Sequence, residues 1–429
     1  MVWFVIFQYN LLHGMKGPDM KEKESDRQDQ RIGANPLLSR RRFFRTTGLA
    51  AAGLFAAGCG RSKNPLEATD ILSATGQSVQ SPSDDVIAAP LEALTRVATA
   101  DIHSYDPRTL KAAIQSSIEA IGGPGDLIRP GDTVGFKINM TGGASYATRS
   151  TTDYGVSAVE LYWTHPEVLR AVMELCRDAG AGRLIVVEAN YDTPSYTQWG
   201  YRDVVDALGA EYHNLNDAHP YGNFREEPVP DPLTHWESYY LNGILYDLDC
   251  FISLPKTKRH LGGGITNAMK NSIGLVPLSK YQKSGGWREK LHCDDNLEAT
   301  NSYAGFKNLV RTIVDLCKIR PIHLSVCDAV LTSDFGEGPW IRGFEPVSFN
   351  TLITSKDPVA ADAIATTLFG YDPTAADRGG AFASSSMKTD FAGTDNYLRI
   401  AAEQGLGVYD PARIEVIDAT VSTRVAVRG

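Results

Sequence analysis

The densest group of residues able to do chemistry follows a short apolar run that ends at Leu254. Lys256, Lys258 and His260 stand at every second position and are followed by three consecutive glycines. Lysine neutralises an anion, histidine exchanges a proton near neutral pH, and glycines let backbone amides approach an anion closely. A short helix is predicted after the glycines, and its start would favour negative charge. The segment therefore predicts a site for a phosphate or a carboxylate.

This segment does not have the spacing of two familiar nucleotide sites. Both the GxxxxGK[ST] loop and the GxGxxG fingerprint are missing from it. An alternative explanation is that the glycines only permit tight packing of a helix on a sheet. The residues expected to contact the anion in this segment are Lys258, Gly262, Gly263, Gly264, Thr266, Lys270 and Asn271.

Three carboxylates form a second candidate site. Asp328, Asp334 and Glu337 lie within ten residues, after a predicted strand and among glycines. Carboxylate oxygens are the ligands that Mg²⁺ and Ca²⁺ prefer, although the twelve-residue spacing of an EF-hand is absent. The same carboxylates could instead orient the cations of the first segment.

The elements that must position these residues alternate between helices and strands along the chain. Proline-started helices are predicted from Asp106 to Ile121 and from His165 to Ala179. His165 is either an acid or base or simply the residue that starts its helix. Further helices are predicted at residues 201–208, 306–318 and 358–369, and strands at 133–139, 183–188, 211–215, 248–254, 322–330 and 350–355.

The predicted strands are near-continuous apolar runs. Such strands belong to a mostly parallel sheet that helices cover on both faces, which predicts an α/β fold of the layered, Rossmann-like kind. Ligands of such sheets collect beyond the carboxyl ends of the strands. Lys137, Asn139 and Glu188 follow strands and are therefore predicted to join the anion site.

The amino-terminal region predicts an export signal. Paired arginines within 39–45 precede a short Ala/Gly/Leu run and a small-residue site ending at Cys59, which is the order of a twin-arginine signal with a lipoprotein cleavage site. We interpret residues 1–38 as a leader extension, 39–59 as the signal, 60–85 as a flexible tether and 86–429 as an α/β domain. Export would place the domain in the periplasm or on the outer face of the envelope. A lipid on Cys59 would then anchor it to the membrane, and simple cleavage near residues 56–58 is the alternative.

Composition limits the function classes. The formal charge is −9, and removal of residues 1–59, which hold nine Lys/Arg and five Asp/Glu, would make it −13. An acidic domain argues against broad nucleic-acid binding. Five cysteines remain after Cys59, with no CxxC spacing, so neither an iron–sulfur cluster nor a disulfide framework is expected.

At these residues the domain resembles the bacterial and archaeal family of domain of unknown function 362, over roughly residues 132–373. Some relatives carry cysteine-rich cluster motifs, which this chain lacks, and the resemblance implies no settled reaction. A fainter similarity, in the glycine-rich turn with Thr266 and Lys270, is to nickel-pincer lactate racemases, from which no nickel cofactor is carried over. The motifs of the main resemblance lie at residues 134–139, 164–166, 255–260, 266–274, 328, 337–339 and 355–362.

The sequence therefore predicts an exported enzyme that acts on a small anionic molecule by proton transfer or hydrolysis. Lys137, Lys256 and Lys270 would neutralise the substrate, and His260 would move a proton. Asp328 and Glu337 would orient these groups or hold a divalent metal. The competing hypothesis is a non-catalytic envelope protein that binds an anionic ligand at the same edge.

Overall fold

Apolar strands and capped helices alternate through the part of the chain that the structure describes. The structure is a computed structural model that describes residues 94–144, 154–260, 262–283, 287–292, 307–341, 343–375 and 395–421. All of them belong to one compact unit, Ile87–Gly429. The predicted leader, signal and tether, with Cys59, lie outside the described residues.

The described strands are β1 (Thr95–Asp101), β2 (Thr133–Lys137), β3 (Arg183–Glu188), β4 (Glu211–Asn214), β5 (Arg225–Pro228), β6 (Ser238–Leu241), β7 (Cys250–Ser253), β8 (Lys258–His260), β9 (Gly264–Thr266), β10 (Leu324–Asp334), β11 (Glu345–Ser355) and β12 (Ile414–Asp418). The described α-helices are α1 (Pro107–Ala120), α2 (Ala158–Tyr162), α3 (Pro166–Asp178), α4 (Thr193–Gln198), α5 (Tyr201–Ala207), α6 (Leu278–Tyr281), α7 (Glu289–His292), α8 (Lys307–Ile319), α9 (Pro358–Leu368) and α10 (Tyr397–Glu403). Short 3₁₀ helices occupy Gly243–Tyr246, Lys270–Leu275 and Pro411–Arg413.

Eight strands form the main sheet, in the order β12-β1-β11-β10-β7-β2-β3-β4. Within this sheet β11 runs antiparallel to both of its neighbours, and the other adjacent pairs are parallel. The mostly parallel sheet predicted from the sequence is confirmed. The amino ends of α1, α3 and α9 are where the sequence predicts them, because each begins with a proline after a capping side chain.

Alternating residues of the strands divide between two cores. Leu184 and Val186 face one core, which α1, α3 and α5 cover. Ile185 and Val187 face the other, which α8, α9 and α10 cover. Helices therefore lie on both faces of the sheet, as predicted, and the polar residues of interest lie along its carboxyl edge.

Several elements differ from the predictions. Strands β1 and β12 extend the sheet beyond β11 and were not predicted. Neither segment has the long apolar run that would predict a buried strand. The predicted strand at 350–355 extends to Glu345 and pairs antiparallel with β10, because the ten residues between the two strands, 335–344, are too few for a parallel crossover. Asp328 and Asp334 lie within β10 rather than after a strand.

In the part of the chain that the structure describes, we find no helix with the length and apolar character needed to cross a membrane.

Candidate functional site

The predicted loop of cationic residues is a β-hairpin. Strands β8 and β9 pair antiparallel, with Lys258 opposite Thr266 and His260 opposite Gly264. Opposed residues of an antiparallel pair project from the same face, so Lys258, His260 and Thr266 share one face of the hairpin. Gly264 has a φ of +73°, a conformation that favours glycine and allows the tight reversal.

The hairpin corrects the prediction that the glycines lead directly into a helix. Gly262 and Gly263 lie in the turn of the hairpin, and a six-residue 3₁₀ helix starts only at Lys270. A helix of this length has no N-terminal anion site of its own. Any anion site must therefore be built by side chains and by the hairpin.

Lys256 is fully paired. Its Nζ donates to Asp328 Oδ2 at 2.7 Å, to the Tyr105 hydroxyl at 2.9 Å and to the Leu331 carbonyl at 3.0 Å. Tyr105 in turn donates to Asp328 Oδ1 at 2.8 Å. All three ammonium protons are therefore used, and these contacts favour a positioning role for Lys256 and Asp328 over the catalytic role predicted for them.

Lys137 belongs to a second buried network. Its Nζ lies 2.7 Å from Glu188 Oε2 and also donates to the Ile138 carbonyl and to Asn271 Oδ1. Asn139 Nδ2 shares the same Asn271 oxygen, at 3.3 Å. Burial lowers the pKa of Lys137, and the nearby Glu188 carboxylate opposes that shift. The structure thus brings these four predicted residues together, with Glu188 as partner of Lys137.

Lys258 is completely buried but faces neutral oxygens. Its Nζ donates to Asn139 Oδ1 at 3.1 Å and to the Tyr162 carbonyl at 2.5 Å. Burial, and then the charge of Lys270, hold the pKa of Lys258 well below its ordinary value. The environment therefore favours an uncharged amine.

His260 has a defined tautomer. Its Nδ1 accepts from the backbone amides of Gly262 at 2.9 Å and Gly263 at 3.0 Å, so the ring proton is on Nε2. Burial, and then the charge of Lys270, hold the pKa of His260 well below its ordinary value. At neutral pH this imidazole is a hydrogen-bond donor through Nε2, which suits stabilisation of a developing oxyanion better than exchange of a proton.

Lys270 and Thr266 have hydrogen-bonding groups that no described residue uses. Among the described residues no hydrogen bond or ion pair joins Lys270 Nζ, although the residue is only 8% exposed, and the Thr266 hydroxyl is buried without a partner. Burial lowers the pKa of Lys270 to about 8. Its side chain lies against Gly263, where a Cβ would come within 3.1 Å of it. We call Lys137, Lys256, Lys258 and Lys270 the lysine edge.

The three acidic residues do not form the predicted metal site. Both Asp328 oxygens accept the hydrogen bonds described above, Asp334 lies 3.7 Å from Arg259 Nε, and Glu337 accepts from Trp340 Nε1 at 3.3 Å. The described ranges contain no group of three His, Cys, Asp or Glu side chains placed to hold a metal ion. With their oxygens engaged by these partners, the residues present do not fit Mg²⁺ or Ca²⁺.

His165 caps the start of α3, which is one of the two roles predicted for it. Its Nδ1 accepts from the Glu167 amide at 3.1 Å, and its ring stacks on Tyr105 at 3.7 Å. Burial lowers the pKa of His165 to about 4, so it is neutral at physiological pH.

The sequence analysis missed Tyr105, Arg288 and His292. Arg288 donates to the Val276 and Ala189 carbonyls, each at 2.8 Å, and thereby joins the sheet edge to the segment after the 3₁₀ helix. His292 Nδ1 lies 2.7 Å from the Arg288 carbonyl. The four-residue spacing of Arg288 and His292 was a signal for one helical turn, but nothing in it pointed to the lysine edge.

Cysteines of the described part are buried free thiols: Cys176, Cys250, Cys317 and Cys327.

Fold and site together define an α/β sandwich whose carboxyl edge buries four lysines around a glycine-turned hairpin. Residues 152–367 match the family described as Domain of unknown function (DUF362), and the chain belongs to this family. The predicted family resemblance is thereby confirmed over residues 152–367.

Known proteins similar to the chain include the thylakoid-associated protein sll1697 of Synechocystis sp. The two are 26% identical over 277 residues, which cover 63% of this chain and 73% of that protein. Similar solved structures include the lactate racemase apoprotein from Thermoanaerobacterium thermosaccharolyticum (12% identity, TM-score 0.35, 60% of this chain and 54% of that one). A protein from Thermotoga maritima is similar at 12% identity and a TM-score of 0.30, over 56% of this chain and 54% of that one. The chain spans about half the length of these two solved proteins.

Proposed function

We propose that this protein is an enzyme that binds a small carboxylate or phosphate at the lysine edge and transfers a proton to or from it. The observation that carries the proposal is Lys270, a buried lysine without a hydrogen-bond or ion-pair partner among the described residues. Glu337 compensates the charge of Lys270 only in part, because burial still holds its pKa below the ordinary value. A directly bound anion would therefore stabilise the ammonium.

Local charge supports an anionic ligand. Two of the four lysines, Lys137 and Lys256, have a carboxylate partner at 2.7 Å, whereas no carboxylate of the described residues forms an ion pair with Lys258 or Lys270. The edge therefore has more buried basic groups than carboxylates to pair with them. Of the three lysines predicted to neutralise the substrate, Lys270 therefore remains in that role. Lys137 and Lys256 instead hold the surrounding residues in place through their carboxylate partners.

Proton transfer fits the same residues. A lysine whose pKa is about 8 exchanges protons near neutral pH, as an acid or base must. The Nε2 proton of His260 would stabilise the oxygen on which negative charge develops. Isomerisation through an enolate and hydrolysis both need a group that exchanges a proton and a group that stabilises negative charge on oxygen.

The binding test compares Lys270→Met with Lys270→Arg, which keeps the charge. Isothermal titration with propanoate and with inorganic phosphate should show at least about tenfold weaker binding for the methionine variant, equivalent to about 1.4 kcal/mol, and near-native binding for the arginine variant. Circular dichroism checks that both fold. Equal affinity of the wild type and Lys270→Met would refute the proposal.

A non-catalytic binding protein is the second candidate, favoured by the complete pairing of Lys256 and Asp328. His260→Asn separates the two, because an asparagine oxygen can accept the same backbone amides while the Nε2 donor is lost. An enzyme should lose turnover and keep ligand affinity. A purified wild-type protein that binds its ligand and never converts it favours the binding protein.

We further propose that the chain is exported by the twin-arginine machinery and anchored through a lipid on Cys59. The support is the order of arginines, apolar run and cysteine within residues 39–59. Mass spectrometry of the natively exported protein should find a lipid-modified Cys59 as the first residue. A mature terminus elsewhere, without lipid, contradicts the anchor.

A further inference from the structure

We propose that Lys258 is a nucleophile that forms an imine with the carbonyl carbon of a small oxo acid. This inference rests on the proposed function, since it takes the anion bound by Lys270 to be the carboxylate of the same molecule. It adds a covalent step and a substrate class to that function.

The first argument is the number of hydrogen bonds that Lys258 makes. Its nitrogen donates two, to Asn139 Oδ1 at 3.1 Å and to the Tyr162 carbonyl at 2.5 Å. A neutral amine has two N–H groups and one lone pair, whereas an ammonium has three donors. Two acceptors therefore match the two N–H groups of the neutral amine. The lone pair of the nitrogen then remains for bonding to a substrate.

The second argument is the contrast with the other buried lysines. Lys137 and Lys256 each donate three hydrogen bonds, one of them to a carboxylate 2.7 Å away. Lys258 contacts no carboxylate among the described residues, and its pKa is held down by burial and by the charge of Lys270. An uncharged, desolvated lysine is the form that attacks a carbonyl group.

The third argument is the pair of polar groups on the same face of the hairpin. Thr266 is directly opposite Lys258, and its buried hydroxyl has no hydrogen-bond partner in the part of the chain that the structure describes. His260 lies two residues from Lys258 along β8 and has its proton on Nε2. In the proposed step the hydroxyl passes a proton between nitrogen and oxygen, and the imidazole donates a hydrogen bond to the carbonyl oxygen.

The step balances without another reactant. The Lys258 nitrogen bonds to the carbonyl carbon, and the π electrons move to the oxygen, which takes a proton from the nitrogen by way of Thr266. The carbon–oxygen bond then breaks, and the oxygen leaves as water with the second proton of the nitrogen. A neutral C=N bond remains, and addition of water reverses the sequence.

Reductive trapping tests this step. The full-length protein is incubated with pyruvate and sodium borohydride, digested and analysed by mass spectrometry. Borohydride adds hydride to the imine carbon, so the Lys258 peptide should gain the mass of the acid less one oxygen atom. Lys258→Arg should abolish this gain, whereas Lys280→Arg, a change at an exposed lysine, should not affect it.

A second variant guards against a folding defect in Lys258→Arg. Thr266→Val keeps Lys258 and should slow labelling at least about tenfold, because a proton-transfer group is removed. Labelling confined to exposed lysines, or labelling of Lys258 at the same rate in Thr266→Val and the wild type, would overturn the inference.

Binding data keep this inference apart from the proposed function. Pyruvate that binds in isothermal titration but leaves Lys258 unlabelled overturns the imine alone. Failure of propanoate, pyruvate and inorganic phosphate alike to bind overturns the proposed function, and the imine with it, whereas binding of inorganic phosphate alone overturns only the imine.

Discussion

Gly274 illustrates how closely single residues are fitted around the lysine edge. A Cβ at this position would lie 2.6 Å from Lys137 Nζ and would also contact Glu188 Oε1. The buried ion pair therefore requires the absence of a side chain here. This is a steric requirement, since the φ of Gly274 is not in the left-handed region.

We expect Gly274→Ala to separate Lys137 from Glu188 and to lower the free energy of unfolding by about 3–5 kcal/mol, the usual cost of breaking a buried pair. Urea denaturation measures this loss. Gly125→Ala is the matched control, because a Cβ at Gly125 would meet no atom of the described residues within 4 Å; it should be nearly neutral. A native-like denaturation midpoint for Gly274→Ala would show that the pair tolerates the methyl group.

Helices α9 and α10 are joined behind the site by a buried carboxyl group. The Tyr397 hydroxyl donates to Asp362 Oδ2 at 2.6 Å, and the Met269 amide donates to the same oxygen at 3.3 Å. Met269 immediately precedes Lys270. Burial raises the pKa of Asp362 to about 7, so its proton is part of the packing between these elements.

Stability should depend on pH through this group. Because the pKa of Asp362 is higher in the folded than in the unfolded protein, its contribution is complete below its ordinary pKa and is lost as pH rises through about 7. Relative to Asp362→Asn, the wild type should lose about 3 kcal/mol of unfolding free energy between pH 5 and pH 8. Thermal denaturation of both proteins across this range measures the difference. Parallel pH profiles would mean that Asp362 does not titrate as described.

Local signals predicted much of the element list. Proline after a capping residue marked the starts of α1, α3 and α9, and apolar runs marked β2, β3 and β7. The β8–β9 hairpin was missed, because the three glycines were taken as entry to a helix and the pairing of Lys258 with Thr266 has no local signal.

The hydrogen-bond and ion-pair partners of the site residues could not be predicted from local sequence. The sequence placed Lys137, Glu188, Lys256 and Asp328 at one edge, yet which lysine pairs with which carboxylate depends on strands that are 51 and 72 residues apart. Burial then decides the charge state of Lys258 and Lys270, and burial is set by the whole sheet. The candidate residues could be predicted, but their division into paired and unpaired groups could not.

At the scale of the whole molecule, an acidic chain of formal charge −9 buries four of its lysines at one sheet edge. Attraction of an anion must therefore come from this edge and from its desolvated lysines rather than from net charge. Glu337 raises the pKa of Lys270, whereas burial, Arg288 and Lys137 lower it. Lys258, His260 and His292 also interact with Lys270.

The most direct test of the central claim is the affinity for propanoate as a function of pH at constant ionic strength. Since the ligand stays ionised, wild-type affinity should be constant below the Lys270 pKa of about 8 and fall about tenfold for each further pH unit. Lys270→Arg should bind with little change across the same range. A flat profile in the wild type, or the same decline in Lys270→Arg, would contradict the claim that Lys270 holds the anion.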